Sequence, residues 1–371
     1  MEAKVCARCV MDTTGDDRIS FKADGTCNYC NYAIERMSEE YFPDEKGKRQ
    51  LEEMVRLLKE EGAGKKYDCM MGLSGGLDST YLAYLGAKKW GLRILAVHID
   101  DGFDTPVAVQ NIKNLCERCG IHLINESPDE RQYMDLLKAF IRAGVPSIAL
   151  PQDNVLQACL LKHAKANGIR YFLSGANFAL ESILQRGNGH VAADGVHIRD
   201  IHRKYGERPL TDLPIIDMFE RFLGQRFIHR VVTFKPLDFI DYNRDRAIED
   251  LEDNAGFNYY GGKHYESVFT RFVQVYYLPR KFKVDKRKSH LSSLIVSGQM
   301  TREDALSELE KPLYVEDTME QDIDFILSKL DMERVEFDQL MKMPPRSHDS
   351  YKKSFLIHFA GAARKLRKHL G

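Results

Sequence analysis

Ser74-Gly75-Gly76-Leu77-Asp78-Ser79-Thr80 follows a short apolar run and precedes a segment of helical period. Two adjacent glycines let a backbone turn sharply and come close to a ligand, and a helix beginning there points its free N–H groups outward. With the hydroxyls of Ser74, Ser79 and Thr80, the segment suits an anion such as pyrophosphate. It is neither the Walker A pattern, whose lysine is missing, nor Gly-x-Gly-x-x-Gly. A second constellation is Cys6-x2-Cys9, seventeen residues, then Cys27-x2-Cys30. That spacing predicts a four-cysteine zinc ribbon whose four thiolates close the coordination sphere of a structural Zn2+. So short a segment buries too little apolar surface to fold unaided, and the metal supplies its folding energy. A third is the cationic run Arg280, Lys281, Lys283, Lys286, Arg287 and Lys288, six positive charges in nine positions, able to clamp a diphosphate or a carboxylate. His264 and Glu266 could transfer protons, and Glu181, one helical turn beyond Asn177, faces the same cleft.

These residues need a scaffold, and the 371-residue chain is long enough for more than one core. Apolar residues make up 43% and charged residues 29%, which excludes collagen-like and wholly disordered chains. The formal net charge of −1 gives no global field for a polyanion and argues against a nucleic-acid partner. No run approaches the ~20 apolar residues of a membrane helix, and Glu2, Lys4 and Arg8 break up any secretory leader, so the chain is expected in the cytoplasm. Strands are predicted at 67–73, 94–99, 122–125 and 170–174, separated by helices at 79–90, through 119, at 131–143 and at 155–167. Such alternation means βαβ units and a parallel sheet. Residues 185–206 show no period and read as an active-site loop. Helices dominate from 244 onward, including 264–276, 302–310, 320–329, 334–340 and 351–368, and the stripe Phe269, Phe272, Val273 and Tyr276 reads as core. The expected units are a ribbon over 1–42, an α/β domain over 43–236 and a helical substrate- or partner-binding domain over 237–371.

Ser74-Gly75-Gly76-Leu77-Asp78-Ser79 resembles the pyrophosphate loop of the PP-loop ATP pyrophosphatases. Those enzymes split ATP between the α- and β-phosphates, adenylate a carbonyl-type oxygen and replace it with nitrogen or sulfur. The resemblance implies an adenine nucleotide alpha hydrolase-like parallel sheet with helices on both faces. It implies that Gly75, Gly76 and Ser79 hold pyrophosphate and that Asp78 helps place Mg2+; the Ser74 hydroxyl is a further nucleotide-binding candidate beside them. His98-Ile99-Asp100-Asp101-Gly102 and Ser174-Gly175-Ala176-Asn177 match segments lining the family's nucleotide site, which puts His98, Asp100, Gly175 and Asn177 beside ATP; Glu181 joins them by its helical spacing from Asn177.

The ribbon start, the loop, Lys263-His264-Tyr265-Glu266-Ser267 and 281–295 together resemble the N-acetyl sugar amidotransferases over nearly the whole chain; Asp12-Thr13-Thr14 departs from the family's pattern only in the ribbon loop. In that family an acetamido group on a sugar, commonly nucleotide-linked and bound for lipopolysaccharide or another surface polysaccharide, becomes acetamidino. Asp78, Lys263, His264, Glu266 and Arg287 are the expected catalytic residues. No cysteine follows Met1 and none lies in a Gly-x-Cys-x-Gly turn, so ammonia is expected from a separate glutamine amidotransferase with a synthase-like subunit. Two rival readings are a PP-loop tRNA thiolase, with Cys116-x2-Cys119 as its sulfur site, and a nucleotide-binding scaffold without turnover.

Overall fold

The structure, a computed structural model, describes residues 3–357. Its centre is a five-stranded, wholly parallel sheet of β1 (Cys69–Gly72), β2 (Ile94–Ile99), β3 (His122–Glu126), β4 (Tyr171–Leu173) and β5 (Val232–Phe234), in the order β3-β2-β1-β4-β5. Side chains alternate across a strand. Cys69, Met71 and Leu73 therefore enter a core with the helices Leu77–Tyr84 and Pro106–Cys119, while Met70 joins Leu95, Val97 and Ala164 on the other face. The chain runs outward from β1 through β2 to β3, then returns to place β4 on the opposite side of β1. The β1/β4 boundary is thus the topological switch point, where crevices open at the carboxyl ends of the strands.

The regions flanking the sheet share cores with it. Leu51, Leu237, Leu251 and Leu294 belong to the same buried cluster as β1. The C-terminal helices pack Phe269, Phe272, Tyr277, Ile323 and Phe337 around the helix Glu130–Ala143. At the N-terminus Cys27 caps the helix Asn28–Glu40, its Sγ accepting from Cys30 N. The ribbon's core takes in Phe178 and Ile183 from the segment after β4.

Several sequence expectations need correction. Residues 185–206 are not one long loop, because the helix Gly195–Tyr205 forms there, capped by Asp194 and buried through Ile198 and Ile201. The helix expected at 264 begins at Val268, where Ser267 accepts from Thr270 N, and continues as a wider helical turn over Val273–Phe282. β5 was not anticipated. Most of the helix expected over 351–368 lies outside the described residues, and 351–355 are not helical.

Candidate active site

β1 ends at Gly72, and the turn that follows is built on Gly75 at φ +75°. A methyl group on Gly75 would lie 2.6 Å from Ala108 O. Gly76 then sits at the N-cap of the helix Leu77–Tyr84 and, as glycine, has no side chain of its own to cap it. Gly76 N donates to Ser74 Oγ at 3.2 Å and Leu77 N donates to the Tyr260 hydroxyl at 2.9 Å. The Ser74 and Ser79 hydroxyl oxygens are 3.2 Å apart. Gly175, after β4, packs so closely on this turn that a methyl there would come within 3.2 Å of Ser79 N. The two loops of the switch point are therefore in contact, and bare glycine backbone makes that possible.

A cavity of about 810 Å3 opens above this turn, in the upper part of the range for small-molecule sites. Ser74, Gly76, Asp78, Ser79, Gly175 and Glu181 line its floor. The Tyr259–Glu266 segment crosses it, with His264 held at φ +63°. Its far wall comes from Asp285, Lys286, Arg287, His290 and Lys311.

Asp78 Oδ1 accepts from the Tyr242 hydroxyl at 2.5 Å, and its Oδ2 is 4.0 Å from Lys263 Nζ. Burial raises the Asp78 pKa and outweighs the nearby Lys263 ammonium, which acts to lower it. Lys263 Nζ donates to Glu181 Oε1 at 2.8 Å. Burial opposes ionisation of Glu181 as well, but there the ammonium prevails and its pKa is lowered. His264 Nδ1 is 3.5 Å from Glu266 Oε1, while Glu266 Oε2 is buried with no hydrogen-bond partner. That carboxylate lies against the turn, since a methyl on Gly76 would be 2.9 Å from Glu266 Oε1. An orphaned carboxylate oxygen and Asp78 beside a phosphate-type turn fit a hard divalent cation such as Mg2+.

The structure gathers Asp78, Lys263, His264, Glu266, Arg287, Glu181 and the glycine turn into one cavity. Other candidates are placed differently. His98 is buried between Leu73 O, 2.8 Å from Nδ1, and Asp104 Oδ2, 3.2 Å from Nε2, and it does not line the cavity. Asp100 is exposed and accepts from Gly102 N at 3.1 Å. Asn177 is buried, accepts from Leu180 N and donates to Gly175 O, so it shapes the loop rather than facing the cavity. The cationic run also disperses. Arg280 donates to the Tyr314 hydroxyl, Lys281 to Leu340 O and Met343 O, Lys283 to Arg280 O, and Lys288 pairs with Asp12. Only Lys286 and Arg287 of the six reach the cavity. Tyr242 and Tyr260, which brace Asp78 and Leu77, carry no spacing signal that sequence reading could have caught.

Away from the cavity, the four ribbon cysteines are buried with all four Sγ atoms within 4.8 Å of one another. Cys6–Cys30 and Cys9–Cys27 are 3.7 and 3.6 Å apart. A tetrahedral zinc with bonds of ~2.3 Å needs sulfurs ~3.8 Å apart, so the donor set fits. Backbone N–H groups of Arg8, Cys9 and Cys27 point at Cys6 Sγ, as a thiolate requires. It is the only such ligand cluster among the described residues. Cys116 and Cys119 lie on the helix Pro106–Cys119 against the sheet core, and burial raises both thiol pKa values, Cys116 to about 12.

The parallel sheet, its order and the glycine turn at the switch point define a PP-loop-type α/β fold with an N-terminal cysteine cluster and a helical C-terminal region. Residues 266–364 match the family described as "LPS biosynthesis protein WbpG-like, C-terminal domain". An uncharacterized protein, MJ1599 of Methanocaldococcus jannaschii, is 27% identical over 171 residues, 46% of this chain and 58% of that protein. The match thus spans little more than half of that relative's length. Among solved structures, the U34-tRNA thiolase NcsA of Methanococcus maripaludis aligns at 16% identity and a TM-score of 0.34, covering 85% of this chain and 92% of that one. An NMN synthetase of Francisella tularensis aligns at 18% identity and a TM-score of 0.30, covering 56% and 96%. The NH3-dependent NAD synthetase of Campylobacter jejuni aligns at 14% and 0.30, covering 72% and 99%. Among the described residues no helix is long and apolar enough to cross a membrane.

Proposed function

We propose that this protein is an ATP-dependent, AMP-forming amidotransferase that converts the acetamido group of a sugar, in nucleotide-linked form, into an acetamidino group for lipopolysaccharide or a related surface glycan. One observation carries the reading. A single cavity is floored by a phosphate-type glycine turn and walled by residues of the LPS-biosynthesis match, including Glu266, Asp285, Lys286 and Arg287. That arrangement supports a triphosphate on the floor meeting a sugar on the wall.

In this reading the glycine turn and the amides at the start of the helix Leu77–Tyr84 receive the β- and γ-phosphates of ATP, with the Ser74 and Ser79 hydroxyls beside them. The acetamido oxygen attacks the α-phosphorus, and the bond to the β-phosphate breaks as pyrophosphate leaves. The oxygen has become part of a good leaving group on an imidate carbon. Ammonia adds to that carbon and gives up a proton; AMP then departs with the former amide oxygen, leaving the amidine. Lys263, next to Asp78 and Glu181, offsets phosphate charge, and the His264–Glu266 pair is placed to accept the proton. Asp78 and Glu266 would hold Mg2+, which neutralises pyrophosphate charge when bound. His98 and Asp100 would serve the nucleotide only through the loops they brace. Ammonia would come from a glutamine amidotransferase docked through a synthase-like subunit, and no nucleic acid would take part.

The test is product analysis with ATP, ammonium and a panel of nucleotide-linked acetamido sugars. AMP and pyrophosphate should form only when all three are present, with one sugar exchanging O for NH by mass. Formation of ADP, or pyrophosphate release indifferent to the sugar, would reject the reading.

A further inference from the structure

Five described lysines and arginines line the cavity, and four are committed to protein partners. Arg244 donates to the Tyr259 hydroxyl at 3.1 Å and Lys263 to Glu181 at 2.8 Å. Arg287 pairs with Asp285 at 2.8 Å, and Lys311 with Glu308 at 2.5 Å. The fifth, Lys286, is partly buried, and its ammonium has neither a carboxylate nor a hydrogen-bond acceptor among the described residues.

Its position makes that isolation costly. Lys286, Arg287 and Lys288 form the first turn of the helix Lys286–Val296, at the positive end of the helix dipole, where acidic residues stabilise and cations do not. Asp285 answers Arg287 and Asp12 answers Lys288, leaving Lys286 without an ion pair among the described residues. The Asp16 carboxylate acts on it through space but already accepts from the Tyr29 hydroxyl and Arg18 N. Burial lowers the Lys286 pKa, the mark of a charge held without a counter-ion. A cation that weakens its own helix and pairs with nothing in the protein has its use in a ligand.

We propose that Lys286 is the acceptor-recognition cation of this cavity, binding an oxyanion of the sugar substrate: a carboxylate on the sugar or the diphosphate of its nucleotide carrier. This rests on the amidotransferase reading and narrows its substrate to an anionic one. The Lys286 ammonium would be a point charge with three donors, suited to either group without demanding the planar geometry that arginine does. ATP is placed elsewhere, on the glycine turn and Lys263.

Calorimetry on the zinc-loaded full chain tests this without turnover, so it can fail independently of the product assay above. Three probes suffice. UDP-N-acetylglucosamine has the diphosphate and no carboxylate, N-acetylglucosaminuronic acid has the carboxylate and no phosphate, and α,β-methylene-ATP reports the nucleotide site. Lys286→Met should weaken one of the first two roughly ten- to a hundredfold, the usual range for a hydrogen bond to a charged group. Lys286→Arg should restore most of that loss, and α,β-methylene-ATP should bind both variants within about twofold of wild type. The probe that weakens identifies the anion. Unchanged binding of both sugar probes, wild-type protein that binds neither, or a matching loss for α,β-methylene-ATP would overturn the proposal.

Discussion

Gly75 and Gly64 share a φ of +75°, yet one is enclosed and the other open. A methyl on Gly64 meets nothing within 4 Å; on Gly75 it would lie 2.6 Å from Ala108 O and 3.0 Å from Ala108 C, both backbone atoms that cannot swing away. Left-handed backbone costs a residue bearing Cβ roughly 1–2 kcal/mol. Replacing glycine by alanine also restricts the unfolded chain, which returns about 0.4–1 kcal/mol. Gly64→Ala should therefore lose roughly 0–1.5 kcal/mol, pure backbone strain. Gly75→Ala should lose that plus about 1–3 kcal/mol for forcing the turn off Ala108. The shift also carries the Gly76–Ser79 amides away from their aim, so pyrophosphate affinity should fall tenfold or more if even one charge-assisted bond of ~1.5 kcal/mol is lost. Urea unfolding reads the first quantity and calorimetric titration with pyrophosphate the second. If Gly75→Ala is no less stable than Gly64→Ala and binds pyrophosphate equally well, the turn is not the close-packed anion cradle described above.

Further outcomes follow from the same geometry. Because burial raises the Asp78 pKa and the ionised carboxylate is the useful form, pyrophosphate release should rise with pH through an acid limb above the ordinary carboxylate range. Tyr242→Phe removes a donor to that ionised form and should move the limb to higher pH; a limb that stays or moves down contradicts the assignment. Cys27→Ser should lower zinc content from one equivalent per chain toward none by metal analysis, and retention of a full equivalent would refute four-thiolate ligation. The double change Cys116→Ser, Cys119→Ser should cost some stability from the core and leave sugar-dependent AMP formation largely intact, since both thiols are protonated and packed. Abolished turnover in a folded double variant would instead favour sulfur transfer.

The parts of this site legible in the sequence are those whose chemistry is local. The Ser74–Ser79 turn works through consecutive backbone groups, and the ribbon through two close pairs of cysteines, so spacing alone reveals both. β1 and β2 announce themselves because their residues are buried on both faces. β5 has only three residues, with Val232 and Thr233 exposed, and an edge strand that short has no pattern to read. The helix Gly195–Tyr205 is hidden by histidines and arginines that surround its buried Ile198 and Ile201. The cationic run misled for a different reason. Its charges are neighbours in sequence, but Asp12, Tyr314 and the carbonyls of Leu340 and Met343 approach from distant segments and divide it. Partners that remote leave no trace in a local window, and Tyr242 and Tyr260 escaped for the same reason.

The ribbon's distance in sequence from the glycine turn conceals a mechanical link between them. Val10 N donates to Ser292 Oγ, Arg302 donates to the carbonyls of Cys6 and Cys9, and Lys288 pairs with Asp12. All three contacts land on or just after the helix Lys286–Val296, whose first turn carries Lys286 and Arg287 into the cavity. From the other side, the ribbon core encloses Phe178 and Ile183, and Ile183 N donates to Ser293 Oγ on that same helix. Ile183 and Glu181 line the cavity next to the turn. A closed cluster of four thiolates has no position free for substrate, but it fixes the small unit that grips both the helix Lys286–Val296 and the loop after β4. In the proposed transfer the spacing between those two walls sets how the reactants meet, since a misplacement of about 1 Å can cost on the order of a hundredfold in rate. Loss of the metal should therefore act on the meeting of the two substrates before it acts on the sheet, whose core does not include the cysteines of the ribbon.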